Sequence, residues 1–225
     1  MNTAIVVAAG NGKRFTSTIP KQFLVLSGKP VIIRTLERFE CCEAVSQVVL
    51  VLQSSDIENF KSLAKKFKLN KIANIVVGGK TRAESVLNGL RVVDSEAGIV
   101  AVHDGARPLV SVDEISRTIE RAKQVGAACL VAEITDTIKE ITGERIAGTL
   151  DRSLLRRALT PQAFRYDILH EAFAQSDLNE DVTDECYLVE KLGYEIALVE
   201  GSPKNIKITR PEDLVLAEAI LKYSK

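Results

Sequence analysis

Short, unbroken apolar runs alternate along this chain with segments whose apolar residues recur every three or four positions. The runs are Ile5-Val6-Val7, Gln47–Leu52, Ile72–Val77, Gly98–His103 and Ala127–Ile134. Brief apolar stretches rich in β-branched residues predict strands covered on both faces. Between them, Val31–Leu36, Ile57–Phe67 and Thr81–Val93 carry helical stripes, such as Ile57, Phe60, Leu63, Ala64 and Phe67. A further helix, with Ile115, Ile119 and Ala122, starts at Ser111 or Asp113, and Thr81 with Glu84 has capping-box spacing. The alternation predicts an α/β chain with a doubly wound, mainly parallel sheet. Such sheets bind ligands beyond the carboxyl ends of their strands. Here those ends carry Gly10-Asn11-Gly12, Gly78-Gly79 and Asp104.

From Thr135 the pattern changes. Ile138–Ile141 and Arg145–Thr149, around Thr142-Gly143, alternate like a hairpin. An isolated hairpin is marginal in water, so the arm at about residues 137–158 is expected to pack on something. A second subunit is the preferred partner; the alternative is an edge hairpin on its own sheet. After Thr160-Pro161-Gln162, helices are expected near Tyr166–Ala174 and Thr183–Leu192, then strands at Glu195–Val199 and Asn205–Ile208. Pro211 opens a last helix running to about Tyr223. The whole reads as one domain, residues 1–225, with an arm.

Composition narrows the function. Lys+Arg and Asp+Glu are each 30 in 225 residues, and the zero net charge argues against a general nucleic-acid binder. Two histidines exclude a multi-histidine metal centre, and four cysteines without CxxC spacing read as reduced thiols of a cytoplasmic protein. No apolar run reaches the roughly 18 residues of a membrane span, and no secretory signal is evident.

The chemistry concentrates at Thr3–Phe23. A strand enters Ala8-Ala9-Gly10-Asn11-Gly12, where small residues and glycines admit a bulky ligand close to the backbone. Lys13, Arg14 and, directly after Pro20, Lys21 add fixed cations. Strand, glycine loop and cations make a phosphate site. The loop is neither a dinucleotide fingerprint, which would need glycine at Phe15, nor a P-loop.

A-A-G-x-G-x-R with P-K following is joined in order by further motifs. They are G-G-x-x-R-x-x-S-V (Gly78, Gly79, Arg82, Ser85, Val86), H-D-G-A-R-P (His103–Pro108), D-T (Asp136, Thr137) and D-R (Asp151, Arg152). T-P-Q (Thr160–Gln162), T-D-E (Thr183–Glu185) and N-I-K-I-T-R-P-E-D (Asn205–Asp213) complete the set. With these motifs the chain closely resembles the 2-C-methyl-D-erythritol 4-phosphate cytidylyltransferases, a nucleotidyltransferase family with a Rossmann-like fold. The resemblance runs from about residue 3 to 222. It implies Mg²⁺-dependent (or other divalent-cation-dependent) transfer of CMP from CTP to 2-C-methyl-D-erythritol 4-phosphate, a polyol phosphate of the non-mevalonate isoprenoid pathway, with release of pyrophosphate. Ribitol 5-phosphate cytidylyltransferases look very similar and differ in the acceptor.

By residue, the resemblance implies that Arg14 and Lys21 are catalytic, acting on the triphosphate. Ala8, Ala9, Gly10 and Gly12 hold the nucleotide, Gly79 and Ser85 meet the cytosine, and Asp104 binds the metal near the ribose or the acceptor. For Ser85 the plain alternative is a helix-surface hydroxyl; His103 reads as structural. Arg107, Thr137, Arg152, Thr160 and Lys207 are expected on the acceptor, with Arg152 reaching the neighbouring active site of a homodimer. Lys80 and Lys204 stand where relatives can carry acidic residues. No nucleophilic side chain is expected, because a phosphate monoester with a second pKa of roughly 6 supplies its own anionic oxygen.

Overall fold

In the computed structural model, which describes residues 1–10, 20–178 and 182–223, four of the apolar runs form inner strands of one sheet and the fifth, Ile72–Val77, forms its half-covered edge. In chain order the strands are β1 (Thr3–Val7), β2 (Val25–Leu26), β3 (Lys29–Pro30), β4 (Gln47–Leu52), β5 (Ile72–Val77), β6 (Ile99–Asp104) and β7 (Ala127–Glu133). They continue with β8 (Lys139–Thr142), β9 (Arg145–Thr149), β10 (Arg156–Arg165) and β11 (Ala197–Glu200). The helices are α1 (Val31–Glu40), α2 (Ile57–Lys66), α3 (Arg82–Leu90), α4 (Val112–Val125), α5 (Tyr166–Ala174), α6 (Glu185–Lys191) and α7 (Pro211–Tyr223).

Seven strands pair in the order β11-β7-β10-β6-β1-β4-β5. All neighbours are parallel except β10, which runs antiparallel to both β6 and β7. The period-two geometry of a strand sends alternate residues to opposite faces. Val48, Leu50 and Leu52 of β4 join Ala4 and Val6 in a core with α1, α2 and α4. Val49, Val51 and Ile5 point the other way, into a core with α3, α5 and α6. This two-sided cover makes the apolar runs continuous rather than alternating.

One expectation needs correction, one alternative falls away, and one strand was not anticipated. The segment around Thr160-Pro161-Gln162 lies inside a ten-residue strand, β10, between the arm and the next helix. Its pairing with β7 breaks register between Ala158 and Gln162, and its mixture of buried and exposed residues hides the strand period. Asn205–Ile208 forms no strand. Asn205 and Ile206 amides turn back on Ser202 and Lys204, and the Ile208 amide bonds Ala106 O, so this stretch is a loop laid across the end of β6. The hairpin β8–β9 is a separate two-stranded sheet, not an edge of the main one.

Ser111, rather than Asp113, caps α4, with a reciprocal capping box to Glu114. Cys42, Cys129 and Cys186 are buried free thiols and Cys41 is an exposed one. Among the described residues no helix is long and apolar enough to cross a membrane.

Candidate active site

Beyond the carboxyl ends of β1, β4, β5 and β6, the chain leaves a cleft of about 540 Å³. Three backbone bonds extend the ladders into its walls: Ala8 N to Val51 O, Gly78 N to Leu52 O and Gly105 N to Val7 O, each 2.8 Å. These hold Ala8-Ala9 against Gly78. A Cβ on Gly78 would lie 2.3 Å from Ala9 Cβ, so only glycine admits this approach.

The Gly78-Gly79 turn is tied to α3 by Ser85. Gly79 N donates to Ser85 Oγ at 3.0 Å, and Ser85 Oγ donates to Thr81 O at 2.8 Å. Ser85 is buried and lines the cleft, which removes the helix-surface reading. Thr81 Oγ1 caps α3 by accepting from Glu84 N. The Glu84 carboxylate accepts from Lys80 N instead of from the Thr81 amide, so the box is only half formed.

Asp104, the last residue of β6, is the electrostatic centre. Arg82 Nε lies 3.1 Å from Oδ1, while Arg107 Nε and Lys207 Nζ lie 3.2 and 3.0 Å from Oδ2. Burial opposes ionisation of this carboxyl, but Arg82, Lys207 and Arg107 together hold it well below the ordinary range. Beneath it, Thr160 Oγ1 accepts from Asp104 N at 3.1 Å and meets His103 Nδ1 at 3.0 Å. His103 Nε2 lies 3.2 Å from Arg107 O, and the ring packs on Phe39. Burial brings His103 down to about 4, against the pull of Asp104, so it stays neutral at pH 7.

Six of the anticipated nucleotide residues, Ala8, Ala9, Gly10, Gly79, Ser85 and Asp104, line the cleft together with Lys21 and Lys207. Lys21 follows Pro20 in a short 3₁₀ turn and donates to Ile208 O at 3.2 Å, which joins the glycine-loop segment to the C-terminal loop. Arg107 and Thr160 stand behind Asp104 rather than on the cleft lining: Arg107 Nη1 donates to Asn205 O, and Asn205 Nδ2 to Thr160 O. Thr137 and Arg152 are exposed on the arm, where Arg152 donates to Thr135 O. Gly12 and Arg14 lie outside the described residues.

The residue that sequence reasoning left without a role is Arg82. It lines the cleft and bridges Asp104 to Glu185, whose Oε1 accepts from Arg82 Nη1 at 2.6 Å. Burial opposes the charge on Arg82, yet the two carboxylates raise its pKa further. Burial also pushes Glu185 up, with Arg82 pulling it down. The signal was present, since Arg82 sits in the G-G-x-x-R motif and Glu185 in T-D-E, but only tertiary structure brings the two together. Among the described residues no group of three or more His, Cys, Asp or Glu could hold a metal unaided. What the chain offers is one ionised, hard carboxylate set among cations. The arrangement suits a polyanion that brings further oxygen ligands of its own.

Comparison with known proteins agrees with the geometry. The family model described as IspD, 2-C-methyl-D-erythritol 4-phosphate cytidylyltransferase, matches residues 2–223. The enzyme of that name from Bacillus velezensis is 43% identical over 220 residues, covering 97% of this chain and 94% of the relative. A bifunctional IspD/IspF enzyme from Desulfotalea psychrophila is 43% identical over 100% of this chain, which spans 58% of the longer relative. The crystal structure of 4-diphosphocytidyl-2C-methyl-D-erythritol synthase from Anaerococcus prevotii superposes with a TM-score of 0.86 at 28% identity, covering 98% of this chain and 96% of that one. The chain therefore belongs to the 2-C-methyl-D-erythritol 4-phosphate cytidylyltransferase family.

Proposed function

We propose that this chain transfers CMP from CTP to 2-C-methyl-D-erythritol 4-phosphate. The products are 4-diphosphocytidyl-2-C-methyl-D-erythritol and pyrophosphate, as in the non-mevalonate route to isoprenoids. The observation that carries the reading is Asp104, ionised at a strand end, ringed by Arg82, Arg107 and Lys207 and lining one cleft with Gly10 and the Gly78-Gly79 turn.

An acceptor phosphate oxygen forms the new bond to the α-phosphorus. The bond from that phosphorus to the bridging oxygen breaks, and its electron pair leaves with pyrophosphate. The nucleophile is already an anion near pH 7, so the protein's tasks are alignment and charge neutralisation. Arg14 and Lys21 stabilise the charge that builds at the α-phosphorus. Backbone from Ala8 to Gly12 takes the nucleotide, and Gly79 with Ser85 supplies directed polar groups to the base. Thr137 and Lys207 serve the acceptor directly, and Arg107 and Thr160 serve it through Asp104, which they hold from behind.

Mg²⁺, or another divalent cation, fits Asp104 as a single carboxylate anchor, because it commonly keeps several waters and takes substrate phosphate oxygens for the remaining positions. When bound, it would neutralise triphosphate charge. We also infer a homodimer, in which the arm docks on a second copy and carries Arg152 to that copy's acceptor. Support comes from Ile141, Ile146 and Leu154, which are 69%, 67% and 83% exposed on the arm.

Pyrophosphate release from four nucleoside triphosphates, each paired with methylerythritol phosphate or ribitol 5-phosphate, tests the reaction. Turnover is expected with CTP and methylerythritol phosphate. Turnover with ribitol phosphate alone would overturn the acceptor. For the catalytic assignment, Arg14→Ala and Lys21→Ala should cut kcat far more than CTP affinity; equal losses would make them binding residues only.

A further inference from the structure

Two motifs distant in sequence lock together beneath the cleft. Gln162 lies in β10 opposite Cys129 of β7, and both ends of its side-chain amide are committed to the start of α6. Nε2 donates to Asp184 Oδ2 at 2.8 Å, and Oε1 accepts from Cys186 N at 3.1 Å. Asp184 in turn caps α6 by accepting from Tyr187 N at 3.0 Å. Glu185 lies between the two clamped residues and is wholly buried as a result. Its Oε1 meets Arg82 Nη1, and Nε of the same guanidinium meets Asp104 Oδ1. Among the described residues, Glu185 Oε2 has no hydrogen-bond partner.

A buried carboxylate with one bare oxygen is a poor way to stabilise a fold, and well-packed apolar residues often serve as well or better. What a carboxylate supplies here is charge. Asp104 already faces Arg107 and Lys207, so an uncompensated Arg82 would be a third cation gripping one carboxylate. Glu185 takes one nitrogen of Arg82 and balances its charge, while holding the guanidinium plane at a fixed angle to Asp104.

We propose that Glu185 is a positioning residue of the nucleotide site, acting through Arg82. It fixes that guanidinium in the cleft wall and cancels its charge, so that Asp104 keeps the capacity to take a divalent cation together with CTP. This rests on the transferase reading of the cleft.

Glu185→Gln keeps the shape and removes the charge. The test measures CTP binding by calorimetry in EDTA and again in MgCl₂, alongside the metal dependence of kcat and the melting temperature. In wild type, Mg²⁺ is expected to tighten CTP. In Glu185→Gln, CTP binding in EDTA should hold, while the Mg²⁺-dependent tightening falls about tenfold and half-maximal kcat needs about tenfold more metal. Unchanged metal coupling would overturn the proposal. So would a parallel loss of melting temperature and of CTP binding in EDTA, which marks a merely structural support. Should Glu185→Gln fail to fold, Arg82→Gln and the double variant Arg82→Gln/Glu185→Gln decide. Equal metal coupling in these two supports action through Arg82, and a further loss in the double variant refutes it. A wild-type protein that does not turn over CTP would overturn the transferase reading itself. An active wild type with an indifferent Glu185→Gln overturns only the positioning role.

Discussion

Lys207 Nζ lies 3.0 Å from Asp104 Oδ2, so one ammonium ties the loop after β11 to the carboxyl end of β6. The same loop crosses the end of β6 through Ile208 N to Ala106 O, and Ile208 O receives Lys21. Lys207 therefore stands where the glycine-loop segment, the central strand and the C-terminal loop converge.

Lys207→Met should lower kcat/KM for the acceptor by about 10²-fold, the range seen when one preorganised donor is removed from a charged transition state. Stability should change by less than about 1 kcal/mol, because the side chain is one-third exposed and its pair is partly screened. Steady-state kinetics with both substrates varied, together with urea melts, separate these effects. A large stability loss with unchanged kinetics would make Lys207 a structural tie.

His103 gives the fold a pH limb of predictable sign. Burial lowers its pKa to about 4 in the folded chain, against about 6.5 when unfolded. Between these values the unfolded chain binds a proton that the folded chain refuses, so stability falls as pH drops through the window. The slope approaches about 1.4 kcal/mol per pH unit and the total about 3 kcal/mol. Above pH 6.5 the group contributes no slope. Asp104 does not confuse the window: its folded pKa is depressed, so its stabilisation is fully present above the ordinary carboxylate value of about 4 and is lost only below it. His103→Asn should start less stable yet show a flatter profile from pH 6.5 to 4 in urea melts. An unchanged slope would mean that another group carries the limb.

Gly78→Ala puts a Cβ 2.3 Å from Ala9 Cβ and 3.0 Å from Ser85 Oγ. Overpacking of this kind costs about 1–3 kcal/mol, and here it pushes apart the two loops expected to hold the nucleotide. Both thermal stability and CTP affinity should fall. Gly148→Ala, on the arm, meets nothing closer than Glu140 Oε2 at 3.7 Å and should leave CTP binding unchanged. Equal CTP affinity in the two variants would refute the close-approach argument.

The inner parallel strands were legible because β1, β4 and β6 are buried on both faces, and Gln47–Leu52 coincides with β4. So was Tyr166–Ala174, whose apolar stripe matches α5. Strand β10 was not: Arg156, Arg157 and Ala158 are exposed before six buried residues, and a proline sits in the middle. Only its neighbours β6 and β7 make that segment a strand. The Asn205–Ile208 stretch failed in the opposite sense, since its alternating residues read as a strand while its amides bond locally and to Ala106. At the site, Asp104, Gly10 and the Gly78-Gly79 turn were readable from their places at strand ends. The Arg82–Glu185 contact joins residues 103 positions apart and has no local signature.

The arm offers the last prediction. Ile141 and Ile146 are cross-strand partners in β8–β9, and both are about two-thirds exposed, so they form one apolar face on a hairpin that the main sheet does not support. If that face docks on a second copy, charging it should break the dimer without harming the protomer. Ile141→Glu with Ile146→Lys places opposite charges directly across the ladder, which favours hairpin pairing while opposing burial in an interface. Sedimentation at micromolar concentration should show a wild-type dimer and a monomeric double variant. CTP binding should survive in the variant, because the cleft lies wholly outside the arm. CMP transfer should fall, since Arg152 could no longer reach a neighbour's acceptor, and adding back wild-type chains should restore part of it through mixed dimers. A wild-type monomer that is fully active would remove the arm from the mechanism.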